Sequence, residues 1–364
     1  MLLGSMFEEL LCFLNGTSEG RYRLATTLQG HDAPINCFAF DNSGSLLASG
    51  GDDQVVRLWD VDTFRPLQTI SDKNGRWGQI TVLQFINPAG GPSIVGLEWL
   101  CIGTGRGQII IYRRTRKSPI YHELAAKCAF SSDDSVESIS YDPNFCRIAI
   151  TSHYGKVKVC RLKREGGAIV TLWKNSLSET IPRAIFFIEQ GKALLVYAME
   201  NGAVHYYDAE TSTERSVKYL RTAIGNVDVC GTTGNVIVDN MLDGFDLYSP
   251  NRSSPIYTFK VDSVKYFVKG VVFGEGGQII VSGSDHGRVY VFGTRQKELL
   301  QSLKHGNREY IIQCIAAKTT KTQHLIVSGA ANGNCSINIW KKVRRSILPI
   351  QIFTSRTGPE ASCS

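Results

Sequence analysis

What the chain lacks narrows it first. In 364 residues no apolar run approaches the roughly 20 residues that a bilayer-spanning helix needs, so no transmembrane helix is expected. The opening "MLLGSMFEELLCFLNG" has no basic segment, and Glu8 and Glu9 interrupt its apolar residues. That argues against a secretory signal. The ten cysteines run from Cys12 to Cys363 without a CxxC pair, and several sit in apolar runs, as Cys37 does in "INCFAF". Reduced, buried thiols are expected, which points to the cytoplasm, with the nucleus as the alternative. The Asn-x-Ser/Thr triplets at Asn15, Asn251 and Asn334 are then chance matches.

Recognisable chemistry is missing too. There is no GxxxxGK[ST] and no HExxH, and the histidines (His31, His122, His153, His205, His286, His305 and His324) do not pair with another ligand at metal spacing. The run "GTGRGQ" from Gly103 lacks the GxGxxG spacing and opens a strand, so it reads as a tight turn and not a dinucleotide cradle. No catalytic residue, cofactor or metal is nominated, and the expectation is a non-enzyme. A formal net charge of +7 is modest at this length; it permits an acidic partner without demanding one. With 43% hydrophobic and 20% charged residues the chain is globular in composition, and it is long enough to bury a large core without staples.

What is present is repetition. In "SGGDDQVVRLWD", residues 49–60, a small-residue run and two carboxylates precede an alternating strand that ends in Trp59-Asp60. Aligned on Trp59, the pattern of strand, polar turn, strand, tight turn and strand recurs at Tyr112, Cys160, Tyr207, Tyr248, Phe292 and Trp340. Seven units recur at about 40 residues, the period of propeller blades. Each has period-two alternation and Gly/Asn/Asp turns, and each connector supplies a fourth strand, as in "RPLQTI" and "ELLQSLKH". The predicted architecture is all-β: a seven-bladed β-propeller of four-stranded antiparallel blades. An extra strand at residues 22–28 precedes the first unit and would complete the seventh blade, closing the ring.

These residues carry a resemblance. Gly30-His31, the turn at 49–53 and Trp59-Asp60 resemble one complete WD repeat, and the likeness extends in weaker form over 21–342. The resemblance implies a structural tetrad of His31, Ser49, Asp53 and Trp59. Such a chain satisfies a buried indole N–H and imidazole, so breaking it should cost roughly 1–3 kcal/mol. Elsewhere apolar or mismatched residues replace it: Ile102 stands at the serine position, Arg106 and Tyr154 at the aspartate position, and His286 at the turn beside Ser282.

Around this propeller, residues 1–20 are expected to hold a short amphipathic helix. Ser5 and Glu8 form a capping box, and Phe7, Leu10, Leu11 and Leu14 share one face. Residues 343–364 read as a flexible tail behind the basic Lys341, Lys342, Arg344 and Arg345.

The resemblance implies that the mouth of the ring binds partners. Alignment places Asn36, Thr81, Glu137, Arg183, Lys269 and Gln313 at the first-strand entries, with Asp52, His153, Glu200 and Asp285 at the turns before the third strands. The mixed charge suits a protein or peptide better than a uniform polyanion. The expectation is a monomeric propeller acting as a protein-interaction scaffold within a complex. A basic edge at Arg113, Arg114, Arg116 and Lys117 supports the alternative of phosphoinositide, membrane-surface or nucleic-acid binding. It shares only paired arginines with the FRRG signature of phosphoinositide-binding propellers. A ubiquitin-ligase substrate receptor is a further alternative, but the arginine of WDxR is absent from Trp59-Asp60-Val61-Asp62.

Overall fold

The structure is a computed structural model that describes residues 20–88, 98–115, 118–177 and 179–344. The expected N-terminal helix and C-terminal tail lie outside the described residues.

Short runs of Val, Ile and Leu punctuated by glycine turns form four-stranded antiparallel meanders, because each strand can bury an apolar face only against a neighbour. Blade 1 contains Ile35–Phe40, Leu46–Gly51, Val55–Asp60 and Pro66–Ser71 in that spatial order. Blades 2 to 6 repeat this at 80–128, 136–176, 182–219, 227–260 and 271–304. Blade 7 takes Ile312–Thr319, Gln323–Ala330 and Ile337–Val343 from the end of the chain, and Arg23–Leu28 from its beginning. Arg23 faces Lys341 and Leu28 faces Ile337, antiparallel. The seven-bladed ring and its closure by an N-terminal strand match the reading of the sequence.

The seven aligned positions also coincide. Trp59, Tyr112, Cys160, Tyr207, Tyr248, Phe292 and Trp340 all lie buried in third strands. Each faces a residue of the second strand, as Trp59 faces Leu47 and Trp340 faces Ile326.

The core lies between blades. Ala48, Val56 and Leu58 of blade 1 pack with Ile80, Leu83, Leu100 and Ile102 of blade 2; each fully buried aliphatic side chain of this size contributes about 1.5–3 kcal/mol. The second strands Leu46–Gly51, Trp99–Thr104 and Arg147–Ser152 are buried along their whole length. Blades approach so closely at Gly50 that a Cβ there would stand 2.5 Å from Ile80 Cγ2. The turns before the third strands are equally tight. At Gly287 (φ +72°) a Cβ would sit 2.1 Å from the Asn307 carbonyl oxygen, so only glycine fits.

One irregularity positions the mouth. In blades 1, 2, 3, 4 and 7 the first strand bulges at its entry, where the register shifts between Ile35/Cys37, Ile80/Val82, Val136/Ser138, Pro182/Ala184 and Ile312/Cys314. A bulge leaves one residue outside the ladder and re-aims its side chain. The bulged residues are Asn36, Thr81, Glu137, Arg183 and Gln313. Blades 5 and 6 have short, unbulged first strands, Val227–Val229 and Val271–Gly274.

Candidate functional site

The bulges bring five of the expected mouth residues to equivalent places around the ring, and most of their polar groups are engaged within it. Asn36 Nδ2 donates to Asp52 Oδ1 at 2.7 Å and to the Ile80 carbonyl at 3.2 Å. Glu137 joins blades 3 and 4: its Oε2 accepts from Arg183 Nη1 at 2.8 Å, and its Oε1 lies 2.9 Å from His153 Nδ1. Arg183 Nε donates onward to the Gly225 carbonyl at 2.9 Å. Glu200 accepts from the Thr180 hydroxyl at 2.6 Å and from the Ile181 N–H at 3.0 Å. Burial pushes the Glu200 pKa up, but those two hydrogen bonds outweigh it and hold the carboxyl below its usual range. The Thr81 hydroxyl is buried without a partner, and Gln313 is half-buried. Among the described residues, no group of three or more His, Cys, Asp or Glu is arranged to hold a metal.

Two expected mouth residues need correction. Lys269 and Asp285 are buried and offer a partner no free charge. Blade 6 lacks the entry bulge, so Lys269 precedes the strand and turns beneath its own loop. Its Nζ donates to the Phe267 carbonyl at 3.1 Å and stands 3.6 Å from Asp239 Oδ1. Asp239 occupies the place in blade 5 that Gly50 occupies in blade 1. Its Oδ2 accepts from the Lys269 N–H at 2.8 Å and its Oδ1 from the Met241 N–H at 3.2 Å. Burial keeps the Asp239 pKa raised although Lys269 opposes the shift. Asp285 Oδ2 accepts from the N–H groups of Val264 and Lys265 at 2.5 and 2.6 Å, and its Oδ1 is 2.8 Å from His286 Nδ1.

These buried charges hold a loop whose side chains face solvent. Val264 is 84% exposed, Tyr266 77% and Phe267 42%, and Leu242, on the turn tied to the same Asp239 carboxylate, is 67% exposed. The run "VDSVKYFVKG" connects the last strand of blade 5 to the first of blade 6 and therefore lies at the strand-entry end, with the mouth. Sequence alignment had no reason to single it out, because it falls between repeat units. The available signal was an aspartate, Asp239, where the first repeat carries glycine.

Beneath the mouth, blade 1 contains a continuous polar chain. Trp59 Nε1 donates to Ser49 Oγ at 2.9 Å, Ser49 Oγ lies 2.7 Å from His31 Nε2, and His31 Nδ1 lies 2.8 Å from Asp53 Oδ2. Burial raises the Asp53 pKa, but the His31 hydrogen bond and charge more than offset it, and the carboxyl stays below its usual range. The WD domain, G-beta repeat family matches residues 22–60, from the closing strand through this tetrad to Trp59-Asp60. The chain is a seven-bladed β-propeller that carries a WD repeat.

Relatives of this propeller align over segments only. Periodic tryptophan protein 2 homolog of Schizosaccharomyces pombe is 51% identical over 39 residues, covering 11% of this chain and 5% of that protein. WD repeat-containing protein 18 of Mus musculus is 31% identical over 98 residues, covering 25% and 23%. Probable cytosolic iron-sulfur protein assembly protein Ciao1 of Culex quinquefasciatus is 26% identical over 153 residues, covering 38% and 43%. The chain thus spans less than half the length of each.

A second histidine–serine contact was not read from the repeats. In blade 7, His305 Nδ1 lies 2.6 Å from Ser328 Oγ, and its ring packs 6.1 Å from Trp340. Its Nε2 is buried without a partner, and burial pushes its pKa down to about 4. The signal was "VSGAANG", which parallels "ASGGDDQ"; it was obscured because Lys304, not glycine, precedes the histidine. Two residues of the expected basic edge are described. Arg113 is exposed, but Arg114 stacks its guanidinium 5.4 Å from the centre of the Tyr121 ring. Arg116 and Lys117 lie outside the described residues.

Proposed function

We propose that this propeller is a non-enzymatic scaffold that binds protein partners at the mouth end of its ring, through the apolar loop at 262–270 and the neighbouring Leu242. One observation carries the reading: Val264 and Tyr266 are more than three-quarters exposed on a backbone that buried Asp285, Asp239 and Lys269 hold in place. Exposed apolar side chains on a pre-ordered loop lose little conformational entropy on binding, which is how binding hot spots gain their strength. The mixed Glu137–His153–Arg183 network next to them supplies a polar rim. Among the relatives, one name denotes cytosolic iron-sulfur protein assembly, which fits work alongside protein partners. The eight described cysteines are free thiols, which supports a reducing compartment, cytosolic or nuclear.

The test is co-purification from source cells with quantitative mass spectrometry, comparing Val264→Ser/Tyr266→Ser with the edge control Arg113→Ala. Losing a hot spot of about 2 kcal/mol weakens affinity roughly 30-fold. Partners should therefore disappear from the loop variant and remain with the control. Full retention by the loop variant, with its melting temperature unchanged, refutes the assignment.

A further inference from the structure

A cleft of about 620 Å³ opens between blades 2 and 3, lined by Cys128, Phe130, Lys156, Lys158, Lys174 and Asn175. It lies toward the mouth end, since Lys156 follows the turn that carries His153. Three lysines line it. Lys158 and Lys174 stand directly opposite each other across the third and fourth strands of blade 3, an arrangement of like charges that costs a sheet stability. Lys127 reaches over from the outer strand of blade 2, its Nζ donating to the Ile169 carbonyl at 3.0 Å and to Thr171 Oγ1 at 2.8 Å. Burial pushes the Lys158 pKa below the usual lysine range; Cys160 opposes that shift, and Lys127, Lys174 and Lys156 add to it.

The opposing charge does not balance these groups. Buried Asp134 takes Lys156 at 2.8 Å, and Asp133 also faces Lys156. Among the described residues, Lys127, Lys158 and Lys174 have no carboxylate partner. Lys158 donates to the Ala129 carbonyl with its Nζ 5.0 Å over the Phe130 ring, and each ammonium has three N–H donors to distribute. Lys174 is exposed.

We propose that this cleft binds a compact ligand bearing several phosphate groups, clamped by Lys158 and Lys174 of blade 3. Two lysines without carboxylate partners, facing each other across one cleft beside Lys156, call for a multiply charged anion, and lysine ammonium groups match phosphate oxygens without demanding a planar fork. The volume falls in the range of small-molecule sites. A nucleic-acid strand fits less well. The one aromatic ring lining the cleft, Phe130, is buried beneath Lys158 and offers no base-stacking platform.

The experiment is calorimetric titration of the full chain with inorganic tripolyphosphate in about 150 mM salt, where surface charges are screened beyond about 8 Å. Lys174→Gln and Lys158→Gln are compared with Arg113→Gln, which removes one positive charge from the edge of blade 2. Each lysine variant should lose about 10-fold or more in affinity (about 1.4 kcal/mol) while Arg113→Gln binds as the parent does. Relief of the Lys158–Lys174 repulsion should leave the ligand-free lysine variants melting at or above the parent temperature. Sedimentation with vesicles containing phosphatidylinositol bisphosphate separates the sources: co-sedimentation that depends on Lys174 assigns a lipid headgroup, and tripolyphosphate binding without co-sedimentation assigns a soluble ligand. Parent affinity weaker than about 1 mM, or equal losses in all three variants, overturns the proposal.

Discussion

Glu275 is the residue on which closure of the ring can be tested most directly. It belongs to blade 6, yet its carboxylate gathers groups from both ends of the chain. Oε1 accepts from the Tyr22 hydroxyl at 2.8 Å and from Lys342 Nζ at 2.8 Å; Oε2 accepts from Lys342 Nζ at 3.0 Å. Tyr22 is fastened a second time to the outer strand of blade 6, where its N–H and carbonyl pair with the Gln301 amide at 2.9 and 2.7 Å. The Glu275 and Lys342 side chains are 8% and 21% exposed, so Glu275→Ala strands a partly buried ammonium and a buried phenol. Charge-assisted bonds contribute about 1.5–3 kcal/mol each, and full burial raises the penalty to about 3–5 kcal/mol; here the expected loss is about 2–4 kcal/mol. For a ring of this size each kcal/mol moves the melting temperature by about 1.5 °C, so a fall of about 3–6 °C is expected. Hydrogen exchange should localise the effect, with protection of Arg23–Leu28 falling roughly 30-fold or more.

A built-in control is Glu189 in blade 4. It sits in the same kind of turn with the same φ of +50°, so alanine meets the same backbone geometry at both sites. Its side chain is 51% exposed and lies 3.6 Å from Arg215; such surface pairs are worth about 0–1 kcal/mol. Equal melting shifts for the two variants, or unchanged exchange in Arg23–Leu28, would refute the seam argument.

Two further outcomes are expected. Trp59→Phe and Ser49→Ala should each cost about 1–2 kcal/mol, and because they break one shared bond the double variant should cost about 1 kcal/mol less than their sum; additivity in denaturant titrations would argue against a connected tetrad. Burial raises the Asp228 pKa to about 6, against N–H donation from Phe273 and Val229 that lowers it. The folded ring therefore binds that proton more readily than the unfolded chain, and this contribution to stability is lost as pH rises from about 4 to 6. Stability of Asp228→Asn relative to the parent should improve by about 2–3 kcal/mol between pH 4 and pH 7, and a difference that stays constant across this range would refute the buried charge.

The architecture was legible because it depends on local periodicity. Third-strand positions such as Tyr112, Cys160 and Phe292 could be placed from alternation and turn spacing alone, although none is tryptophan. The tetrad was legible because all four residue types survive in one repeat. Exposure was not legible, because it depends on groups distant in sequence. Lys269 aligned with Asn36, but an unbulged strand and the Asp239 carboxylate of the preceding blade drew it inward. Asp285 aligned with Asp52, but its Oδ2 is taken by backbone N–H groups of the 262–270 loop and its Oδ1 by His286. The apolar residues of that loop would read equally well as a core strand; only the buried charges beneath them turn them outward.

Several polar contacts stand where the ring is hardest to hold. Blades 1 to 6 each form from consecutive chain, so apolar wedges such as Ile80 against Gly50 can lock them with little loop-closure cost. Blade 7 must pair Arg23 with Lys341, across almost the whole chain, and closing so long a loop carries an entropic penalty that grows with its length. The His31–Ser49 and His305–Ser328 contacts lie in blades 1 and 7, on either side of that joint, and Glu275 lies across it. Apolar packing tolerates sliding, whereas a buried hydrogen-bonded chain is satisfied in one register only. With directional contacts beside its joint, and both apolar wedges and blade-to-blade links such as Glu137–Arg183 and Lys269–Asp239 elsewhere, the ring can lose most WD signatures without losing closure.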